Sequence, residues 1–467
     1  MLLEISQKDR EIWLSYYNLE GKTRFKTYPL TSDDMYNWEV CREGDKNIDP
    51  KIRNWDGRPV KKVGTRWLGK HRITEYLANL GFSDRELIFG YHFPKTYFID
   101  IEVEVTDKFP EPKLAEMPIT AICIVTPARQ CIVLATKELS NAEIGKINEK
   151  IDAHFAKLGV TYTFDFKCFK SEYDMLYTFM AKFVRNFSMM SGWNVIKFDW
   201  TYLVNRARKI GINPTISSPV DTLTGQDELP SHVGVMDYLD LYAKWDRTVD
   251  IKEDLKLDTV GAAVLGIKKV KYDGTLQDMY EKEYPKYIFY NAVDTAMVQL
   301  IHERLKTIEI ALTIAHLSQV NVLKAGSPVA VTEALLCRAL LQNDMVIAKD
   351  PQQLPRKAEK YEGAFVKDPA VGMHYAVACF DFASLYPSIM RQMNVSPESL
   401  IKKVDPSKRE AECAPDRIVA VNGAVYTTET SILKKILSDL YSQRREYKKK
   451  SMELQQQVYE IEKSMKA

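Results

Sequence analysis

The chain has 467 residues, 45% of them hydrophobic and 27% charged, and a net charge of +2 at pH 7. At about 100–200 residues per domain it should form two to four domains of ordinary globular composition. Its seven cysteines are odd in number and never spaced C-x-x-C, which argues against a zinc ribbon or a disulfide framework and for a reducing compartment.

The near-neutral charge does not exclude nucleic acid, because acidic metal sites cancel basic grooves. The 25 Tyr, 18 Phe and 7 Trp suit stacking on unpaired bases, although most belong in cores. The N-terminus, MLLEISQKDREIW, is charged early and lacks the apolar stretch of a signal peptide, and no apolar run reaches membrane-spanning length. These features predict a cytosolic protein with no membrane partner.

Residues 1–93 mix short alternating runs, turn signals such as Asn54-Trp-Asp-Gly57 and a helical pattern at Ile73–Leu80, and read as an α+β module. From Tyr97 the texture changes. Tyr97–Val105 alternates with period two and reads as a strand, followed by strands at Ile119–Val125 and Gln130–Leu134. Helices are predicted at Glu143–Leu158 and Glu172–Phe187, a strand at Met189–Ile196 and a helix at Trp200–Ile210. Residues 211–234, rich in Pro, Ser, Thr, Gly and Asp, read as a loop or hairpin; Val235–Tyr242 is a short apolar segment and Tyr284–Lys306 a long helix. Residues 94–306 are thus expected to form a mixed α/β domain. Residues 307–350 are apolar at helical spacing, 351–360 (PQQLPRKAEK) look like a linker, and a second α/β segment begins at Tyr361. Within it Tyr375–Phe382 reads as an apolar strand ending on a carboxylate, with Ser384–Ser388 turning into a helix. The tail from Ser431 is one long helical pattern with a basic patch at Arg444, Arg445, Lys448, Lys449 and Lys450.

One set of carboxylates is spaced for phosphodiester hydrolysis, which two divalent ions about 4 Å apart can drive. Magnesium and manganese take carboxylate and water oxygens, so such a site needs three or four acids from different elements. Asp100 and Glu102 are two apart on a strand and share a face, while Ile99, Ile101 and Val103 point into a core. Asp199 follows Phe198 at a helix start, in Asn194-Val-Ile-Lys-Phe-Asp199. Tyr290 and Asp294 are four apart on a helix face, where the phenol can orient a water and the carboxylate can hold metal. Taken singly these are a strand edge, a helix cap and a surface pair; the ordered set carries the signal.

The segments D-I-E, N-x-x-x-F-D and Y-x-x-x-D resemble the three exonuclease motifs of the proofreading domain in family B DNA polymerases. The resemblance implies an RNase H-like fold acting 3′ to 5′, with Asp100, Glu102, Asp199 and Asp294 on two Mg²⁺ or Mn²⁺ ions and Tyr290 positioning the attacking water. Asp381-Phe-Ala-Ser-Leu-Tyr-Pro-Ser-Ile389 is similar to motif A of the same family. By that resemblance Asp381 binds both polymerising metals, the Leu385 and Tyr386 backbones cradle the triphosphate of a dNTP substrate, and Tyr386 stacks under the deoxyribose. Tyr361-Glu-Gly-Ala-Phe365 resembles the element joining the two activities, so Tyr361, Gly363 and Ala364 are expected on the template strand, with small residues allowing close backbone approach. Gln443-Arg-Arg-Glu-Tyr-Lys448 resembles the first fingers helix, where Arg444 and Lys448 share a face suited to triphosphate.

The likeness is to the T-even-phage branch of the family and extends to Phe109-Pro-Glu-Pro112, Asp237-Tyr-Leu-Asp-Leu-Tyr242, Lys271-Tyr-Asp-Gly274 and Ile389–Glu398. It implies an N-terminal domain (1–93 with a return segment 307–350), an exonuclease domain (94–306), the first part of a palm (351–430) and the first fingers helix (431–467). It also implies primer-template and single-stranded DNA as partners, work in the host-cell cytoplasm for a phage chain, and a strand-separating hairpin near 211–234. One departure is large: neither K-x-x-x-N-S-x-Y-G nor D-T-D occurs, so the second fingers helix, second palm carboxylate and thumb are not supplied. The expectation is the N-terminal half of a split polymerase whose second chain brings these parts and any sliding-clamp contact, or else a truncated chain. Ile432, Leu433, Ile436, Leu437, Leu440 and Tyr441, and farther on Met452, Leu454, Val458 and Ile461, would then pack on a partner helix. The competing readings are a stand-alone 3′–5′ exonuclease and a non-catalytic nucleic-acid-binding regulator, since similar phage polymerases also bind their own messenger RNA.

Overall fold

The period-two run near Tyr97 forms strand β1, Thr96–Val103, at the heart of a six-stranded sheet. Its neighbours in sequence are β2 (Ile119–Val125), β3 (Gln130–Ala135), β4 (Thr163–Cys168), β5 (Met189–Gly192) and β6 (Gly234–Asp237). The spatial order is β4-β3-β2-β1-β5-β6. Strands β1, β2 and β3 are antiparallel neighbours, whereas β4 on β3, β5 on β1 and β6 on β5 are parallel. Parallel pairs need crossovers, and the helical segments between the later strands supply them.

The computed structural model describes residues 1–104, 110–245, 254–270, 274–352 and 366–466. It divides into two compact units, Met1–Leu30 with Leu80–Ala334, and Thr31–Asn79 with Leu335–Ala467. The division runs inside the N-terminal 1–93 stretch, whose first thirty residues join the unit that holds the six-stranded sheet.

In that first unit, apolar residues cover both sheet faces. Ile99, Ile101 and Val103 of β1 pack with Met175 and Leu176 of α2 (Glu172–Thr178), Leu203 of α3 (Thr201–Lys209) and Trp200 of the turn that leads into α3. The other face carries Phe98, Ala121, Cys123 and Val133 beneath α4 (Tyr284–Leu305), a 22-residue helix buried on nearly every side from Tyr287 to Ile301. A helix without a polar stripe belongs in a core. The three antiparallel strands Leu2–Lys8, Glu11–Tyr17 and Thr23–Pro29 attach through Tyr17, whose hydroxyl donates to Ser188 O (2.8 Å) and accepts from Gly234 N (3.1 Å), at the starts of β5 and β6. Residues 211–234 resolve the loop-or-hairpin alternative as a short hairpin, Leu223–Thr224 against Leu229–Pro230.

The second unit pairs Tyr36–Val40 with Val60–Gly64 and holds the helix Lys70–Ala78 by a Trp38 Nε1 to Glu75 hydrogen bond of 2.9 Å. Farther on, Leu400–Lys403, Ala424–Thr427 and Arg417–Val419 form an antiparallel sheet. The predicted tail helix is Ile432–Lys466, 35 residues long. Its start is held by Asn394, which accepts from Ser431 N at 3.0 Å, and by Glu398, which accepts from Ile432 N at 2.7 Å. Of the packing candidates, Ile432, Leu433, Ile436, Leu437 and Tyr441 are half-buried, whereas Leu440, Met452, Leu454, Val458 and Ile461 are exposed.

Several elements depart from the sequence expectation, among them the helices Leu257–Leu265 and Leu276–Lys282, where it named no element. The strand β4 was not anticipated. The strand from Met189 ends at Gly192 instead of Ile196, because the chain turns there into a helical segment beginning at Ile196. No strand forms over Tyr375–Phe382: the segment is irregular, with Tyr375 at 85% and Phe380 at 92% exposure. An apolar run alone cannot make a strand; ladder partners must satisfy its backbone, and none pairs with it among the described residues.

Candidate active site

Asp100 and Glu102 project from β1 to the face covered by α4, opposite Ile99 and Ile101, as period two requires. Asp100 Oδ2 accepts from Asn291 Nδ2 of α4 at 2.9 Å. Glu102, Asp199 and Asp294 are each less than a tenth exposed. Asp199 sits in a wide helical turn, Ile196–Trp200, leading into α3. Its Oδ1 accepts from Ile101 N of β1 at 3.0 Å, beyond the end of β5. The carboxylate thus takes a backbone donor that a longer β5 would have used. Gly192 permits this approach, because a Cβ there would lie 2.5 Å from Ile99 O.

Asp294 lies on α4 four residues after Tyr290, and Lys269 joins the two. Its ammonium is ion-paired with Asp294 and donates to Tyr290 Oη at 3.1 Å. Asp294 Oδ1 and Asn291 Oδ1 are buried with no hydrogen-bond partner among the described residues.

Taking four carboxylates out of water beside one another favours their neutral forms. Burial, reinforced by Asp294, pushes Asp100 up to about 7. Burial, then Asp100 and Asp294, drives Glu102 well above the usual carboxylate range. Asp199 moves the same way through burial and Asp100, and Asp294 rises through burial although Lys269 opposes it. Burial pulls Lys269 down, but Asp294 and Tyr290 outweigh it and keep the ammonium charged.

Like charges held together in a polar recess are the environment that a hard divalent cation relieves. Carboxylate oxygens are the donor chemistry magnesium and manganese take, and Asp294 Oδ1 is a buried acceptor without a donor among the described residues. The residues therefore fit such ions chemically, although no three acidic, His or Cys side chains among the described residues form a ready-made ligand cage.

Sequence reasoning missed Lys269, Asn291 and Asp237. Asn291 and Lys269 are single polar residues with no motif spacing. Asp237 was visible only as part of a similar stretch; it ends β6 and binds backbone amides of the turn before Asp199.

The second predicted site is arranged differently. Asp381 is exposed and has no hydrogen bond or ion pair among the described residues. Ser384, at φ 52°, starts the helix Leu385–Gln392, on which Tyr386 is 74% and Leu385 41% exposed. Arg444 and Lys448 are exposed, one turn apart on the long tail helix. Tyr361, Gly363 and Ala364 lie outside the described residues, as do Phe109 and Lys271–Asp273. No helix among the described residues is long and apolar enough to cross a membrane.

Comparison with known proteins matches residues 73–260 to the family described as DNA polymerase family B, exonuclease domain, and residues 317–465 to DNA polymerase family B. Asp100, Glu102 and Asp199 fall in the first match and Asp381 in the second. The DNA-directed DNA polymerase of Escherichia phage RB69 is 28% identical over 380 residues, 75% of this chain and 41% of that protein. That of Enterobacteria phage T4 is 27% identical over 436 residues, 85% of this chain and 47% of that protein. A DNA polymerase of Archaeoglobus fulgidus is 30% identical over 314 residues, 66% of this chain and 35% of that protein. The chain thus spans less than half the length of these relatives. With exonuclease and polymerase matches following one another in order along most of its length, the chain belongs to the family B DNA polymerases.

Proposed function

We propose that this chain removes nucleotides from the 3′ end of DNA at Asp100, Glu102, Asp199 and Asp294, as the proofreading activity of a replicative DNA polymerase. The observation that carries the reading is that residues separated by nearly 200 positions are gathered between β1 and α4, with Asp199 bonded to Ile101 N, Asn291 to Asp100 and Lys269 to Asp294, and burial raising the pKa of all four carboxyl groups. The four carboxylates would hold two Mg²⁺ or Mn²⁺ ions. When bound, such a pair supplies Lewis acidity at the scissile phosphate and positive charge for the leaving oxygen. Tyr290 would orient the attacking water. Lys269, already bonded to its hydroxyl, would hold the phenol and add positive charge to the site.

Nucleotidyl transfer is proposed at Asp381, with Leu385, Tyr386, Arg444 and Lys448 toward the dNTP and Tyr361, Gly363 and Ala364 toward primer-template DNA. One palm carboxylate does not make a two-metal site. Polymerisation would therefore draw on polypeptide beyond these 467 residues, on the same or a second chain. The exposure of Asp381 favours a second reading, in which the exonuclease works alone.

The test is hydrolysis of 3′-labelled single-stranded DNA with Mg²⁺, comparing wild type with Asp100→Ala/Glu102→Ala. Loss of at least a hundred-fold in the variant is expected, as for the removal of a metal site. A folded wild-type chain that hydrolyses nothing would leave only a binding role. Adding a polypeptide with the K-x-x-x-N-S-x-Y-G and D-T-D segments and measuring primer extension separates the polymerase reading from the lone exonuclease.

A further inference from the structure

Asp237 is a buried carboxylate that is not among the four proposed metal ligands. It stands at the end of β6, in register with Gly192 at the end of β5, and is 4% exposed. Both of its oxygens bind backbone. Oδ1 accepts from Asn194 N at 3.0 Å and from Leu239 N at 3.1 Å, and Oδ2 accepts from Ile196 N at 3.1 Å.

The first and last of these bonds reach across to the turn between β5 and Asp199. That turn is tight, with Asn194 left-handed at φ 64°. The residues held by Asp237 are those whose carbonyls close the next turn. Asn194 O accepts from Phe198 N (3.0 Å), Val195 O between them accepts from Trp200 N (2.7 Å), and Ile196 O accepts from Thr201 Oγ1 (2.8 Å). Asp199 lies inside this set of bonds, and Ile101 N anchors its carboxylate from β1. Asparagine tolerates the left-handed region better than other non-glycine residues, but a single such residue is fixed there only where its surroundings hold it. Two charge-assisted bonds from a buried carboxylate supply that constraint.

We infer that Asp237 is a positioning residue for the exonuclease site: by holding the Asn194 and Ile196 amides it sets the turn that aims Asp199 at β1. This rests on the exonuclease reading above. Asp237→Asn is nearly isosteric but has one acceptor oxygen, so its NH₂ must face a backbone N–H, donor against donor. Asp237→Glu keeps both oxygens and the charge but moves them by one methylene.

Two measurements test the inference in the full chain. The first is amide hydrogen exchange in chelator. In Asp237→Asn, the Asn194 and Ile196 amides should exchange at least about ten-fold faster, with β2 and α4 unchanged. The second is the Mn²⁺ concentration that half-saturates thermal stabilisation. Loss of a group that orients a metal ligand costs about 10–100-fold in affinity, so the midpoint should rise by about that factor in both variants, with their melting temperatures in chelator near wild type. Single-stranded DNA hydrolysis should fall in parallel. An unchanged Mn²⁺ midpoint, or unchanged exchange at 194 and 196, overturns the inference, as does failure of both variants to fold, which makes Asp237 simply structural. If wild type neither hydrolyses DNA nor responds to Mn²⁺, the exonuclease reading fails, and the exchange data still report whether Asp237 holds the turn.

Discussion

Arg206→Met removes a guanidinium while keeping most of its stem. Arg206 lies on α3, two turns after Asp199, and its side chain is only 10% exposed. Its Nε and Nη2 donate to the two oxygens of Glu172 at 2.8 and 2.7 Å, and its Nη1 donates to Glu116 O at 2.7 Å and Ala115 O at 3.3 Å. Glu172 Oε1 also accepts from Ile119 N at 2.7 Å, so one ion pair joins α3, α2 and the start of β2. The planar fork fits the carboxylate in a way methionine cannot. The variant leaves Glu172, 17% exposed, without its counter-charge and frees two carbonyls; breaking a buried pair in this one-sided way costs about 3–5 kcal/mol, and the partial exposure of Glu172 places this one at the lower end. At about 2–4 °C per kcal/mol for a unit of this size, the first thermal transition should fall by roughly 10 °C. The assay is thermal unfolding in chelator followed by circular dichroism, on Arg206→Met, Glu172→Gln and the double variant. The double variant should lose less than the two single losses added, because removing both partners leaves no orphan charge. A loss under about 1 kcal/mol in Arg206→Met, with additive singles, would refute the buried clamp and return the pair to the ordinary behaviour of surface ion pairs.

Three further outcomes follow from the same structure. Lys269→Met deprives the Asp294 carboxylate of its cation and should cost about 3–5 kcal/mol in chelator, part of it restored by millimolar Mn²⁺; equal melting temperatures for variant and wild type in chelator would refute it. Gly192→Ala would place a methyl 2.5 Å from Ile99 O and 3.0 Å from Val195 Cβ, so a stability loss of about 1–3 kcal/mol and a larger loss of DNA hydrolysis are expected; a fully active variant would show that β5 can move aside. Burial lowers His232 to about 4, against 6.5 in the unfolded chain. Its folded value is the lower one, so the unfolded chain binds the proton first, and stability is lost as pH falls from 6.5 toward 4, by roughly 3 kcal/mol in all. Denaturant midpoints measured across that range should flatten in His232→Gln, and an unchanged slope would count against a neutral buried imidazole.

Residue periodicity and spacing determined a good deal by themselves. Strands β1, β2 and β3 follow from apolar runs, because a buried strand needs its face filled whatever surrounds it. The pair Asp100 and Glu102 follows from the two-residue repeat, and Tyr290 with Asp294 from the helical one, since both are properties of backbone geometry. The tail helix from Ser431 was legible for the same reason. Tertiary structure decided the rest. Strand β4 is a half-exposed parallel edge strand; its Thr163–Cys168 run alternates polar and apolar residues, so its strand character was legible although not anticipated, and only its place beside β3 was a tertiary matter. Strand β5 stops at Gly192 because Asp237, 45 residues away, takes the amides of the following turn. Tyr375–Phe382 is an apolar run of strand length and forms no strand, because a strand is a property of its neighbours as much as of its residues. Lys269 meets Asp294 only once α4 is packed on the sheet, and no spacing in the chain encodes that meeting. Local pattern reports what a segment can become; hydrogen-bond satisfaction and the pairing of buried charge, which join distant residues, select what it does become.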